Sequence, residues 1–159
     1  MDATLASLIL QAQAAHDCRP GATSDEIVDA EKRIGYRFSD DLRELLCACN
    51  GIQFWKKGKY PCRLLPAAEI KPVHLFLDGD EGPRGLVAIV ESQADFVGLG
   101  LDPESSCYSR LVDCSHETFP YELFGVCDSV KEMLALILGS KDEEWIWPAA
   151  RASGVDFAD

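Results

Sequence analysis

Nucleophilic chemistry needs a thiol or hydroxyl beside a base, and this chain offers one close pair, Cys114 and His116. On a strand end their side chains would share a face, but no orienting acid stands beside them in sequence. Catalytic partners are usually distant in sequence, so the pair reads as structural. Metal chemistry is no better served. His16, His74 and His116 show no H-x-x-x-H spacing, and the seven cysteines (18, 47, 49, 62, 107, 114, 127) include no C-x-x-C pair. Asp78, Asp80 and Glu81 open like a calcium loop, but the pattern fails at its fifth position and at its ends. The glycines at 79, 82, 85, 98 and 100 match neither a P-loop nor a dinucleotide fingerprint. These residues predict no enzyme activity, no cofactor and no bound metal.

Recognition is the chemistry that remains. Twenty-seven acids against fifteen Lys and Arg leave a formal charge of −12, which disfavours nucleic acid and favours a basic protein partner. The candidate contact acids are Asp78, Asp80 and Glu81 in a Gly/Pro loop, with Asp102 and Glu104 in the next turn. These two loops flank a short run of strands, so the acids are expected along one sheet edge. Trp55, just before the Lys56–Lys59 turn, is the expected apolar anchor, because charge steers association but seldom supplies an interface core.

The elements that must position these groups are marked by their own signals. Thr23 with Glu26 is a capping box, and Ile27, Ala30 and Ile34 recur at helical spacing before Gly35. Ser39, Asp40 and Asp41 open a second helix with the stripe Leu42, Leu45, Leu46 and Cys49, closed by Asn50-Gly51. An earlier helix buries Leu5, Leu8, Ile9 and Ala12. Ile52–Trp55, Cys62–Leu65, Pro72–Leu77, Gly85–Val90, Phe96–Leu101 and Ser109–Asp113 read as extended, and Pro66–Lys71 as a turn or short helix. Ser129 with Glu132 caps a last helix through Val130, Met133, Leu134, Ile137 and Leu138, stopped at Gly139; Trp145 and Trp147 lie in a mixed tail. Helices first, strands in the middle and a helix at the end predict an α+β fold with a mainly antiparallel sheet.

One stretch carries a family resemblance. Glu31, Ile34-Gly35, Phe38, Leu42, Leu45-Leu46 and Asn50-Gly51 fit the run E-x-x-hG-x-x-h-P-x-x-h-x-x-hh-x-x-x-NG, where h is apolar. That run resembles the front of the SMI1/KNR4, or SUKH, superfamily; Ser39 stands where the family usually has proline. The resemblance runs from about Ile27 to Leu138, within a single domain of 159 residues whose family-like core is about 24–139. It implies a curved, mainly antiparallel sheet with helices packed on one side. It also implies a non-catalytic bacterial immunity protein, one that binds and neutralises a toxin domain, often a basic nuclease. The alternatives are a regulatory scaffold or adaptor of the same family and, from another class, a cysteine-dependent enzyme using Cys114 and His116.

Two further expectations concern stability and place. Glu31 and Asn50 are expected to be structural, one beside the apolar face of its helix and the other at a helix end. Asp2 stands where a secretory signal needs a basic start, and no run of about eighteen apolar residues occurs, so a cytoplasmic protein with reduced cysteines and no membrane span is expected.

Overall fold

The structure, a computed structural model, describes residues 2–77, 80–93 and 95–140. Helix α1 (Leu5–Ala15) starts where Thr4 Oγ1 accepts from Ser7 N–H at 3.1 Å, and it buries Leu8, Ile9 and Ala12. Helix α2 (Ser24–Ile34) has both arms of its capping box: Glu26 N–H donates to Thr23 Oγ1 at 3.2 Å and Thr23 N–H to Glu26 Oε2 at 2.7 Å. Gly35, at φ 82°, ends it in the left-handed conformation.

Helix α3 (Asp40–Ala48) buries Leu42, Leu45 and Leu46 as expected, but its ends differ from the sequence reading. Ser39 makes no capping bond; its hydroxyl donates instead to Asp41 Oδ1 at 2.6 Å. The helix stops before Cys49, and Asn50 serves another element: its Oδ1 accepts from Ala67 N–H at 2.8 Å, capping the 3₁₀ turn Ala67–Glu69.

Eight strands form one open antiparallel sheet among the described residues. They are β1 (Asp17–Cys18), β2 (Ile52–Phe54), β3 (Cys62–Leu64), β4 (Lys71–Pro72), β5 (Leu86–Ser92), β6 (Asp95–Gly100), β7 (Leu111–Cys114) and β8 (Phe124–Cys127). Their order is β1-β2-β3-β5-β6-β7-β8, with β4 also pairing β5. Register shifts between Ala88 and Val90 and between Leu111 and Val112 bend the sheet as bulges do. Neither β1 nor β8 is legible as a strand in the sequence. Pro72–Leu77 is not one strand: pairing ends at Pro72, and helix α4 (His74–Leu77) lays the Phe76 ring 4.6 Å from that of Phe96. Gly98 makes room there, since a Cβ would stand 2.9 Å from Leu86 Cδ1 and 3.3 Å from Val73 Cγ2.

Helix α5 (Val130–Ser140) runs through Gly139, which is exposed and has no left-handed φ to end the helix. Its first turn is held from a distance: Asp41 Oδ2 accepts from Val130 N–H at 2.8 Å, an acid at the positive end of the helix. Helices α1, α3 and α5 pack on one another, with α5 against β8. Nearly every residue of β5, β6 and β7 is buried, and one apolar core runs through the described residues. The result is an α+β fold. No described helix is long and apolar enough to cross a membrane.

Candidate protein-binding surface

The loop over residues 80–85 leads into β5 and carries two of the five expected contact acids, Asp80 and Glu81. Gly85, at φ 72°, lets the turn after β6 lie on it: a Cβ there would stand 2.6 Å from Asp102 N. Arg84 then ties the two loops, with Nε 3.3 Å from Asp102 Oδ2 and a terminal nitrogen 3.2 Å from Glu104 Oε2. Asp102 is a buried organiser rather than a free contact acid. Its side chain is 8% exposed, and it accepts from Tyr36 O–H at 3.3 Å and Glu104 N–H at 2.9 Å. Glu104, by contrast, is 82% exposed. Asp80 and Glu81 are exposed, and Asp80 accepts from Tyr121 O–H at 2.6 Å. That carboxylate holds the Tyr121 phenol above its ordinary pKa. Asp78 lies outside the described residues.

Two tyrosines that sequence reasoning passed over flank these acids. Tyr121 is 76% exposed and Tyr108 is 49% exposed. Tyr108 lines a cleft of about 460 Å³ with Tyr36, Pro103 and Leu101, beside the Asp102 turn. Phe119 packs under the acidic loop, where a Cβ on Gly82 would come within 2.6 Å of its ring. Asp80, Glu81, Glu104, Tyr121 and Tyr108 thus form one strip. Each tyrosine stands in a polar turn outside any apolar periodicity. That was the available signal, because an aromatic residue unclaimed by a core stripe is free to face a partner.

Trp55 does not join them. Phe54 pairs with Cys62 and Arg63 with Glu91, which puts the β2–β3 hairpin at the Ser92 end of β5. The Asp102 turn sits at the Gly85 end, and seven residues of β5 separate the two by about 20 Å. The expected union of a tryptophan anchor with the acids is therefore corrected. Trp55 is left-handed (φ 51°), and its N–H donates to His16 Nδ1 at 3.3 Å. The His16 ring stands edge-on to it at 4.6 Å, and to Phe54 at 5.2 Å. Trp55 Nε1 and His16 Nε2 are both buried without a hydrogen-bond partner.

The alternative catalytic pair is not assembled either. Cys114 is buried completely, its Sγ lies 3.6 Å from Val112 O, and burial pushes its thiol pKa well up. His116 turns to Asp95, with Nδ1 2.8 Å from Oδ1, an orienting acid twenty-one residues away that the sequence did not reveal. Among the described residues no group of three His, Cys, Asp or Glu side chains could hold a metal ion.

Residues 21–136 match the sequence model of the SMI1 / KNR4 family (SUKH-1). The chain belongs to this family. No curated protein matches it closely enough to add a named relative. Within the SMI1/KNR4 frame, the residues that carried the resemblance hold the fold. Glu31, on α2, sits with Oε1 3.2 Å from Arg43 Nε on α3, Gly35 closes α2, and Asn50 caps the 3₁₀ turn. Helix α1 and strand β1 precede the matched span, yet β1 extends the sheet and α1 packs on α3 and α5.

Proposed function

We propose that this SMI1/KNR4 protein is a non-catalytic immunity protein that binds and neutralises a basic toxin domain. Family membership over residues 21–136 carries the reading. The charge of −12 supports it, because carboxylates suit the basic surface with which a nuclease would hold phosphate. The contact surface in this reading is the strip of Asp80, Glu81 and Glu104 with Tyr121 and Tyr108. The acids steer the encounter and the tyrosines supply desolvated contact area, the division of labour expected at tight interfaces.

The test is co-expression with toxin domains encoded beside the gene, followed by association kinetics at two ionic strengths. Protection of the host and a stable complex are expected. The D80N/E81Q/E104Q variant should slow association and flatten its salt dependence. Tyr121→Ala should raise the off-rate about tenfold, as loss of a modest anchor does. No protection and no complex would defeat the immunity reading. Protection with kinetics unchanged in all these variants would defeat only the choice of surface.

A further inference from the structure

A cleft apart from the acidic loops lies between α2 and α3. It has a volume of about 550 Å³, and its seven lining residues include Val28, Glu31, Lys32, Tyr36, Arg37 and Arg43. Its charge runs against that of the molecule: three of the seven lining residues are cations, on a chain of −12. Lys32 has no acidic partner among the described residues. Among the described residues Arg37 reaches only Asp40, at 3.9 Å and with both side chains mostly exposed, a contact that water and salt screen.

Arg43 is the organised member. Its Nε stands 3.2 Å from Glu31 Oε1, and Glu31 is 14% exposed, so the pair fixes the guanidinium across the two helices. The alignment is too poor for a hydrogen bond, and Oε1 is left buried without one. Arg43 itself is 34% exposed, and no acceptor among the described residues takes its terminal N–H groups. A guanidinium placed by an ion pair on its Nε side, with its two-nitrogen end free, can receive a carboxylate through two parallel hydrogen bonds.

We infer that this cleft is a binding site for a single carboxylate group presented by a protein partner. The charge count selects the ligand. Three cations against Glu31 and Asp40 leave one net positive charge, which matches a monoanion. A phosphate dianion would carry one more negative charge than the cleft offsets and would meet the Glu31 carboxylate at its wall. Val28, 39% exposed, and Tyr36 provide apolar walls for the carbon stem behind the carboxylate. Tyr36 also lines the neighbouring cleft beside Tyr108, so the site continues the proposed contact strip. It does not depend on the toxin reading, because carboxylate binding is measured on this protein alone.

The experiment is an NMR titration of the Arg43 Nε–H and the Val28 and Gly35 amides at constant ionic strength. The probes are acetyl-glycyl-glutamyl-glycinamide, with a side-chain carboxylate, acetyl-triglycine, with a terminal one, and inorganic phosphate. Saturable shifts are expected with one or both peptides, and whichever binds tighter identifies the source of the carboxylate. Arg43→Lys keeps the charge and removes the fork, and should weaken binding at least about tenfold. Should that variant fold poorly, Lys32→Ala with Arg37→Ala, both on exposed positions, should weaken it as well. Absence of saturable shifts, unchanged affinity in the folded variants, or phosphate binding as tightly as the peptides would overturn the inference.

Discussion

Two histidines respond to protons in opposite directions, and each direction has a local cause. His16 Nδ1 accepts from Trp55 N–H, which requires a neutral imidazole, and burial lowers its pKa while nearby Asp17 partly opposes that. With the folded value below the unfolded one of about 6.5, the unfolded chain binds more protons in between. His16 therefore costs stability as pH falls below about 6.5, and the loss levels off below its folded pKa. For His116 the Asp95 hydrogen bond raises the pKa, so its contribution is full below about 6.5 and is lost as pH rises through the folded value. Site-resolved NMR titration should find His16 below and His116 above the ordinary value, with Asp95→Asn returning His116 toward it. A His16 that titrates above the ordinary value would contradict the buried acceptor geometry. Asn50 tests a different residue-level claim. Asn50→Ala leaves Ala67 N–H unpaired and should cost about 1 kcal/mol, while Asn50→Asp keeps the acceptor and most of the stability. Equal melting of Asn50→Ala and wild type would show the cap to be dispensable.

Among the elements, α5 depends most on a group it does not own. Ser129 Oγ accepts from Glu132 N–H at 3.0 Å, while the Glu132 carboxylate turns to Asp128 N–H, one residue earlier than a capping box requires. Val130 N–H goes to Asp41, eighty-nine residues away in α3. Asp41→Ala should therefore destabilise the protein by about 1–2 kcal/mol through the α5 terminus as well as through α3. Denaturant midpoints check the size, and hydrogen exchange in α5 checks the place. Unchanged protection of α5 in that variant would contradict the linkage. The capped stripes of α2, α3 and α5 were legible because each signal lies within a few residues. The ends of α3 and α5 were not: Asn50 turns to Ala67 seventeen residues on, the Ser39 hydroxyl goes to Asp41 rather than to a backbone N–H, and Gly139 continues its helix.

At the scale of the whole molecule, the segment before the family match is part of the fold. Leu8, Ile9 and Ala12 are buried, and β1 covers the outer edge of β2. Exposing two large aliphatic side chains costs about 3–6 kcal/mol, a large share of the 5–15 kcal/mol that holds a typical domain together. A chain lacking residues 1–18 is expected to lose cooperative unfolding or to melt far lower, as read by calorimetry. Retention of the full-length melting temperature would show that α1 and β1 are an appendage.

Composition, apolar stripes, capping residues and one spaced motif determined the fold class, four of the helices and the family, because these depend on local propensity and on apolar periodicity along the chain. The net charge likewise set the expected kind of partner. Only tertiary structure decided which acids are available and what stands beside them. Asp102 is spent on Tyr36 and Arg84, Trp55 on His16, and the length of β5 keeps that tryptophan away from the acidic loop. Tyr121 meets Asp80 across forty-one residues, and Arg43 meets Glu31 across the α2–α3 turn. Such pairings arise from how elements pack, and two side chains carry no mark in sequence of the neighbour that folding will bring them.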